Sequence, residues 1–470
     1  MTTTSSGPAA GARLSPVTVM TFASASIPIQ ALVLSISVHF PRYFASEVGL
    51  PLAMVGAAFA MVRLIDIPID TFLGMAMDRT RTRFGRYRVW LVLGTPVMMA
   101  GLYLLLQANS STSQLGLSGM LLFLYLGYSM VYLSHLAWGG VLGPSYEQRN
   151  KVFGAVIGLG VAGAVAVLVI PIVLQQQGAS DAEGVRAMMW FIIAALPVTV
   201  ALVVATTPEK LTLEAPTKIR IADYLVLLRR PNVVRLLAAD LCATLGPGWM
   251  AALYLFYFQD GRGFSLAGAN ILLMIYIAAG FVGAPFTAWL GNRVGKHYGL
   301  LVTTTVYSLG LVLVPFLPAG SFAAFVPGMF VMGAMQAGTV VMIRALTGDI
   351  ADEVRLENGR EWMGLMYALT IATTKIASGL SALTFVLLAA IGYQATAGAA
   401  NTREAIDALQ LVFIVGPIFF VMVAGFCFLG YKLTPARHAE IRRELEARDA
   451  AYAEAPTLGG LTGDEMVVKP

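Results

Sequence analysis

Four charged side chains lie within segments that are otherwise almost entirely apolar. Arg63, Asp66 and Asp70 occur in the sequence MVRLIDIPIDTFLG, and Lys375 occurs in YALTIATTKIASGL. The first three are spaced at i, i+3 and i+7, which places them on one face of an α-helix. Burying a charge in apolar surroundings is costly, so each of these side chains needs a partner or a function there.

The two aspartates are suited to binding a cation or a proton. Two carboxylates four residues apart disfavour ionisation of both unless a cation lies between them. Pro68 stands between them, loosens the helix and frees backbone carbonyls that can face a cation. We therefore predict a buried cluster of two carboxylates and two cations, Arg63 and Lys375, whose protonation or ion occupancy changes in a transport cycle. The alternative is a static ion-pair network that holds two parts of the chain together.

A second polar face lies in the segment YSMVYLSHLAWGG, where Tyr128, Tyr132 and His135 are spaced at i, i+4 and i+7. Aromatic rings can stack on the apolar faces of a sugar or cover a lipid-like group, so this face predicts the wall of a substrate site. Helix packing around a hydrogen-bonded histidine is the equally weighted alternative. The full set of predicted substrate contacts is Gln30, Tyr128, Tyr132, His135, Trp138 and Thr370.

Two further charges lie near the ends of apolar segments. Asp240, in LLAADLCATLG, is either functional or simply located at a membrane interface. Arg344, in MIRALTGDIAD, is expected to extend its guanidinium to the interface while its aliphatic stem stays in apolar surroundings.

The composition identifies the environment of these charges. Of the 470 residues, 57% are hydrophobic and 12% are charged, about half the charged fraction of an average soluble domain. A single soluble core cannot hold so much apolar sequence. This excludes a soluble globular protein, a disordered chain and a disulfide scaffold. Cys242 and Cys427 lie in apolar segments, so we expect no structural disulfide.

Twelve apolar segments are long enough to cross a bilayer as helices. They lie at about 16–41, 51–77, 89–107, 116–142, 152–175, 186–205, 236–258, 266–290, 299–318, 321–346, 362–391 and 407–431. The sequence therefore predicts an all-α membrane protein of two six-helix bundles. The predicted parts are an N-terminus at 1–15 that is disordered, a bundle at 16–205, a linker at 206–235, a second bundle at 236–431, and a tail at 432–470 with a short amphipathic helix.

The basic residues predict the orientation. Of the 31 lysines and arginines, 24 lie in the termini, the linker and the loops on the same side of the membrane. By the positive-inside rule we expect these parts to be cytoplasmic. We expect the protein to lie in the cell membrane, which is the inner membrane where there are two. The net charge of +5 is therefore not a sign of a nucleic-acid partner. The expected partners are the lipid bilayer and a small molecule, and the expected state is a monomer.

The sequence contains none of the motifs of common catalytic or metal sites that we sought, such as HExxH, CxxC or GxSxG. The segment GNRVGKH at 291–297 has the wrong spacing for a phosphate-binding loop. We therefore expect neither an enzyme nor a protein with a cofactor or resident metal.

The segment GMAMDRTRTRFGR at 74–86 resembles the loop motif of the major facilitator superfamily, and GNRVGKH resembles its second-half copy. The residue types indicate the role of this loop as a cytoplasmic gate. Gly74 permits close approach of helices, Asp78 can cap a neighbouring helix, and arginines such as Arg79 and Arg83 anchor the loop at the membrane surface.

A more specific resemblance is carried by DRTRTRFGRYR with the preceding RLIDIPID, and by GDIADEVRLENGREWMGLMYALTIATTK at 348–375. These segments are similar to the glycoside–pentoside–hexuronide:cation symporter family, and the similarity extends over about residues 20–445. The resemblance implies a major facilitator fold and a cation site. The residues implied at that site are Asp66, Asp70, Arg63, Lys375 and Ser129, with Asp70 most closely tied to coupling.

The chain departs from the family pattern at the sugar contacts. Acidic positions of a characterised relative fall near Gln30 and on Tyr132, an arginine falls near Val156 or Ile157, and a cation-site asparagine falls on Ile69. Na⁺ needs several oxygen ligands, whereas H⁺ needs one suitable carboxylate, so these losses favour H⁺ over Na⁺. The expected function is cation-coupled symport of a sugar or glycoside by alternating access. The alternatives are transport of an amphipathic or lysolipid-like substrate, or a non-transporting membrane scaffold or sensor.

Overall fold

The computed structural model describes residues 14–142, 146–209, 221–359, 362–396, 398–431, 433 and 435–454, and no strand occurs within these ranges. Twelve of the helices are long and apolar enough to cross a membrane, as the sequence predicts. The helices of the first half are α1 (Pro16–Glu47), α2 (Leu52–Arg79), α3 (Tyr87–Leu106), α4 (Gln114–Leu142), α5 (Tyr146–Gln176) and α6 (Asp181–Thr206). Those that follow are α7 (Ile221–Leu228), α8 (Pro231–Gly261), α9 (Leu266–Val294), α10 (Lys296–Phe316), α11 (Phe322–Asn358), α12 (Met363–Ala390), α13 (Arg403–Phe426) and α14 (Pro435–Glu454).

Several helix ends differ from the predicted boundaries for local reasons. Helix α1 continues through π-helical turns to Glu47, six residues past the predicted end at 41. Helix α11 continues to Asn358 because its polar end leaves the apolar layer without breaking the helix. It stops where Gly359 adopts a φ of 70°, the left-handed conformation typical of a residue after a helix C-terminus.

The predicted termini and linker are described only in part. Residues 1–13, 210–220 and 455–470 lie outside the described residues, so the predicted disorder at 1–15 falls almost wholly outside them. The predicted linker contains one short helix, α7, that the apolar pattern did not reveal. The tail forms α14, whose Ile441 and Leu445 are buried, and His438 lies 3.1 Å from the carboxylate of Asp352 on α11. The tail helix therefore packs against the end of a membrane-spanning helix.

Small residues let neighbouring helices pack closely. A Cβ atom at Gly127 of α4 would lie 2.3 Å from the backbone nitrogen of Met98 on α3. Between the halves, a Cβ at Gly56 of α2 would lie 2.8 Å from the Cβ of Phe385 on α12. Helices α2 and α12 are thus in direct contact, and this contact positions the charged residues of both helices.

The first membrane-spanning helix of each half ends in π-helical turns, at Tyr43–Glu47 in α1 and Phe256–Gly261 in α8. This shared irregularity is consistent with two bundles related by pseudo-symmetry. We call the membrane face that carries residues 206–209 and 221–230 the linker side, and the opposite face the distal side. Both π-helical turns lie on the distal side.

The close contact of α3 with α4 predicts a strong effect of a single added methyl group. Gly127→Ala should lower the stability of the protein by about 1–3 kcal/mol, because the new Cβ meets backbone rather than a movable side chain. Thermal unfolding of the purified protein in detergent measures this. The matched control is Gly119→Ala on the same helix, where a Cβ meets nothing within 4 Å. Equal melting temperatures for the two variants would contradict the predicted packing.

Candidate functional site

The two intramembrane aspartates and the lysine form one cluster that joins the bundles. The ammonium of Lys375 on α12 donates to Oδ2 of Asp66 at 2.9 Å and also contacts the carboxylate of Asp70, both on α2. The side chains are 2%, 13% and 19% exposed for Asp66, Asp70 and Lys375. The helical spacing of the aspartates places both carboxylates toward the same face of α12, so one lysine serves both.

Ser129 completes this cluster from a third helix. Its hydroxyl on α4 donates to Oδ1 of Asp66 at 3.0 Å. Asp66 therefore receives hydrogen bonds at both oxygens, whereas the Oδ1 atom of Asp70 is buried and has no hydrogen-bond partner among the described residues. Asp70 is thus the carboxylate with free capacity to bind a proton.

Arg63 does not complete the predicted cluster of two carboxylates and two cations. Its guanidinium lies over the ring of Tyr125, 4.4 Å from the ring centroid. It makes no ion pair with a carboxylate of the described residues. A cation–π contact stabilises it instead. Within the described residues, Lys375 alone supplies positive charge directly to the two aspartates.

A cavity of about 590 Å³ lies between the two bundles. Its size falls in the range of about 300–1,000 Å³ that is usual for small-molecule sites. The wall is mostly aliphatic and aromatic. The polar and charged residues that line it, other than tyrosines, are Gln30, Ser37, Arg63, Asp240, Thr244, Gln336, Arg344, Ser378 and Ser381.

The predicted aromatic face lines a different space. Tyr132 and His135 line a second cavity of about 390 Å³ inside the N-terminal bundle, between α1, α4 and α5. Gln30 borders this second cavity and the central one. The ring of Tyr128 stacks on that of Tyr132 with centroids 5.4 Å apart. Nε2 of His135 is 2.9 Å from the carbonyl oxygen of Phe22, so it is also a packing residue.

Three predicted substrate contacts, Tyr128, Trp138 and Thr370, do not line either cavity. Trp138 is fully buried, and its indole N–H points to the carbonyl oxygen of Pro208 at 3.4 Å. Thr370 is also fully buried, and its hydroxyl donates to the carbonyl oxygen of Tyr367. The Trp138 and Thr370 side chains thus contact backbone carbonyl groups rather than either cavity.

Asp240 and Arg344 both lie on the wall of the central cavity. For Asp240 the sequence left a functional and an interfacial position open, and for Arg344 it predicted a guanidinium at the interface. A guanidinium nitrogen of Arg344 is 3.9 Å from Oδ1 of Asp240, and the hydroxyl of Thr373 donates to Oδ2 of Asp240 at 2.5 Å. The residue type was the available signal, since both charges stand within otherwise apolar segments.

The loop that was predicted to act as a gate is organised by a residue outside the motif. The backbone N–H groups of Arg86 and Tyr87 donate to the carboxylate of Glu209 at 2.5 and 2.7 Å. Glu209 therefore caps the start of α3. A Cβ at Gly74 would meet nothing within 4 Å, so no close helix approach requires this glycine here.

The remaining predicted gate residues are two arginines and an aspartate. Arg83 is exposed and lies over the ring of Phe84, and Arg79 is exposed. The side chain of Asp78 lies outside the described residues.

The bundles are closed to each other on the distal side. Arg42 of α1 forms a two-bond ion pair with Asp260 of α8 at 2.6 and 2.9 Å, and Asp260 also accepts from Tyr393. Ser46 donates to the carbonyl oxygen of Ala395 at 2.5 Å. Between described residues, the remaining polar contacts that join the bundles lie on this side or in the Lys375 cluster. The central cavity is therefore separated from the distal side.

Twelve membrane-length helices, a central cavity between two bundles and a buried ion cluster across them define a membrane transporter with the major facilitator fold. The chain belongs to the MFS/sugar transport protein family, which matches residues 21–435. The family consists of transporters, so the protein is not an enzyme.

Curated relatives resemble the chain along most of its length. It is 24% identical over 444 residues to the isoprimeverose transporter of Lactiplantibacillus pentosus, covering 89% of both chains. It is 23% identical over 417 residues to an inner membrane symporter of Escherichia coli strain K12, covering 85% of this chain and 88% of the relative. Both relatives are named as transport proteins, in agreement with the family.

The fold also resembles a solved transporter structure. The nucleoside transporter NupG superposes with a TM-score of 0.64 at 13% identity, covering 89% of this chain and 100% of that chain. At this identity the likeness supports the fold alone.

The Lys375 cluster predicts a non-additive effect on stability. Lys375→Gln should destabilise the protein by about 3–5 kcal/mol, because it leaves two buried carboxylates without a cation. Combining it with Asp70→Asn should restore much of that loss. Thermal unfolding of Lys375→Gln, Asp70→Asn and the double variant gives the coupling energy. The control is Arg403→Gln, at an exposed position. Additive changes in the double variant would show that the two side chains do not interact.

Proposed function

We propose that the protein is a proton-coupled symporter of a sugar or glycoside that works by alternating access. The observation that carries the proposal is the contact of Lys375 in one bundle with Asp66 and Asp70 in the other. This buried contact joins the bundles at the point where they must move relative to each other. A change of charge there changes the energy of every state in which the contact is made.

The charges of the cluster supply a coupling mechanism. With both aspartates ionised and Lys375 protonated, the cluster carries one excess negative charge in a poorly solvated position. A proton bound at Asp70 removes this excess and weakens its attraction to Lys375. The bundles can then separate on one side and close on the other. The proton shifts the equilibrium only by its different affinity for the two states.

Proton coupling is favoured over sodium coupling by the ligand set. The described oxygens at the cluster belong to Asp66, Asp70 and Ser129, and the ammonium of Lys375 occupies the space between the carboxylates. Ile69, which immediately precedes Asp70, offers no side-chain oxygen. A sodium ion would have to displace the lysine, whereas a proton needs the free Oδ1 of Asp70 alone.

The relatives and the basic residues support the proposed substrate class and orientation. The similarity to an isoprimeverose transporter supports a glycoside as the cargo. The concentration of lysine and arginine on the linker side supports a cytoplasmic location of that side, in an inner membrane. With this orientation, the structure is closed toward the outside.

An amphipathic or lysolipid-like cargo is the second candidate. It is favoured by the largely apolar wall of the central cavity and by the apolar second cavity that Gln30 connects to it. A thermal-shift screen of glycosides against lysophospholipids, at acidic and neutral pH and with and without Na⁺, separates the two cargoes. A scaffold or sensor that does not transport would show no pH-dependent binding of either.

Transport in proteoliposomes tests the coupling. A glycoside that stabilises the protein should accumulate when the proton gradient is directed inward, and a sodium gradient alone should not drive accumulation. Asp70→Asn should abolish accumulation but retain exchange of labelled for unlabelled glycoside, because the neutral side chain imitates the protonated state.

The control for this test is Asp407→Asn, an exposed position on α13 that should transport normally. Full accumulation by the Asp70→Asn variant would contradict the assignment of the coupling site. Accumulation driven by sodium alone would contradict the choice of ion.

A further inference from the structure

The central cavity is lined by a pair of opposite charges that is separate from the Lys375 cluster. Asp240 of α8 and Arg344 of α11 both line the cavity, and both belong to the C-terminal bundle. Their closest atoms are 3.9 Å apart, which is too long for a hydrogen bond. The pair therefore attracts electrostatically without using up the hydrogen-bonding capacity of either group.

The unused capacity of the two groups points to a ligand. One oxygen of Asp240 accepts from Thr373 at 2.5 Å, which fixes the carboxylate and leaves Oδ1 available. The Arg344 side chain is 42% exposed, against 4% for Asp240, and donates no hydrogen bond to another described residue. A planar guanidinium with free N–H groups thus stands beside a fixed acceptor on the same wall.

The charge balance of the pair favours uncharged hydroxyl groups. Adjacent hydroxyls of a sugar ring can use both groups together, one donating to Asp240 and the other accepting from Arg344. A carboxylate bound at Arg344 would lie close to the carboxylate of Asp240, and this repulsion offsets its attraction to the guanidinium. The third charged residue on the wall, Arg63, is engaged by the ring of Tyr125.

We propose that Asp240 and Arg344 bind two adjacent hydroxyl groups of the substrate and that this pair selects neutral glycosides over uronides. The inference rests on the proposed glycoside transport and assigns the polar contacts of the substrate to the C-terminal bundle. Thr373 is a positioning residue, since it holds the carboxylate of Asp240 rather than the substrate.

Binding of neutral and acidic probes to the purified full-length protein tests this proposal. The probes are isoprimeverose, its single-deoxy analogues, neutral methyl glycosides and methyl β-glucuronide. In the unchanged protein, removal of one of the two bound hydroxyls should weaken binding by about 10- to 100-fold, the effect of losing a hydrogen bond to a charged group. Methyl β-glucuronide should bind more weakly than the matching neutral methyl glucoside.

Asp240→Asn should change the affinities for the neutral glycoside and for the glucuronide in opposite directions. Affinity for the neutral glycoside should fall, the penalty for the deoxy analogue that lacks the donating hydroxyl should shrink, and affinity for the glucuronide should rise. A purely structural ion pair would lower both affinities together. Asp407→Asn is the isosteric control and should leave every affinity unchanged.

The outcomes separate this proposal from the proposed function. Two results would overturn the assignment while leaving glycoside transport intact. One is a preference of the unchanged protein for the glucuronide. The other is a loss of affinity for the deoxy analogue that is as large in the Asp240→Asn variant as in the unchanged protein. No binding of any glycoside, with binding of lysophospholipid instead, would overturn both. The measurements on the unchanged protein stay decisive if the variant does not fold.

Discussion

The contact of one lysine with two aspartates across the bundle interface is the interaction on which the rest of the structure depends. Removing charged groups from water costs several kcal/mol for each ion, and the loss is recovered only when opposite charges and hydrogen bonds replace the water. Lys375 meets this requirement for Asp66 and Asp70 at once, and Ser129 adds a hydrogen bond. Because the partners belong to different bundles, the stability of the cluster is also the stability of one relative position of the bundles.

The remaining cross-bundle contacts divide the molecule into a closed side and a cavity. On the distal side, Arg42, which immediately precedes the final π-helical turn of α1, pairs with Asp260 in the π-helical turn that ends α8. The Arg42 and Asp260 side chains are 16% and 29% exposed, whereas the carboxylates of Asp66 and Asp70 in the Lys375 cluster are 2% and 13% exposed. The cavity between them carries its own pair, Asp240 and Arg344, which does not cross the interface. The residues proposed for coupling and for substrate recognition are thus separate: Asp240 and Arg344 line the central cavity, whereas Asp66, Asp70 and Lys375 are not among its lining residues.

The sequence could predict the parts of this account that depend on local pattern. Twelve apolar segments identify the membrane-spanning helices. Helical spacing places Asp66 and Asp70 on one face, and Lys375, a lysine within another apolar segment, is the expected partner of both. It could not place Asp240 and Arg344 together, because their position near segment ends was compatible with an interface, and only the packing of α8 against α11 brings both to the cavity wall. The distal contacts were also not predicted, since they depend on the register between bundles.

The central claim is that a proton bound at Asp70 and the substrate stabilise the same state. Its most direct test is the uptake of protons when a glycoside binds to the purified protein in weakly buffered detergent solution. The account predicts uptake of close to one proton for each glycoside bound at a pH where Asp70 is ionised, and no uptake by an Asp70→Asn variant that still binds. Glycoside binding without proton uptake at every pH tested would contradict it.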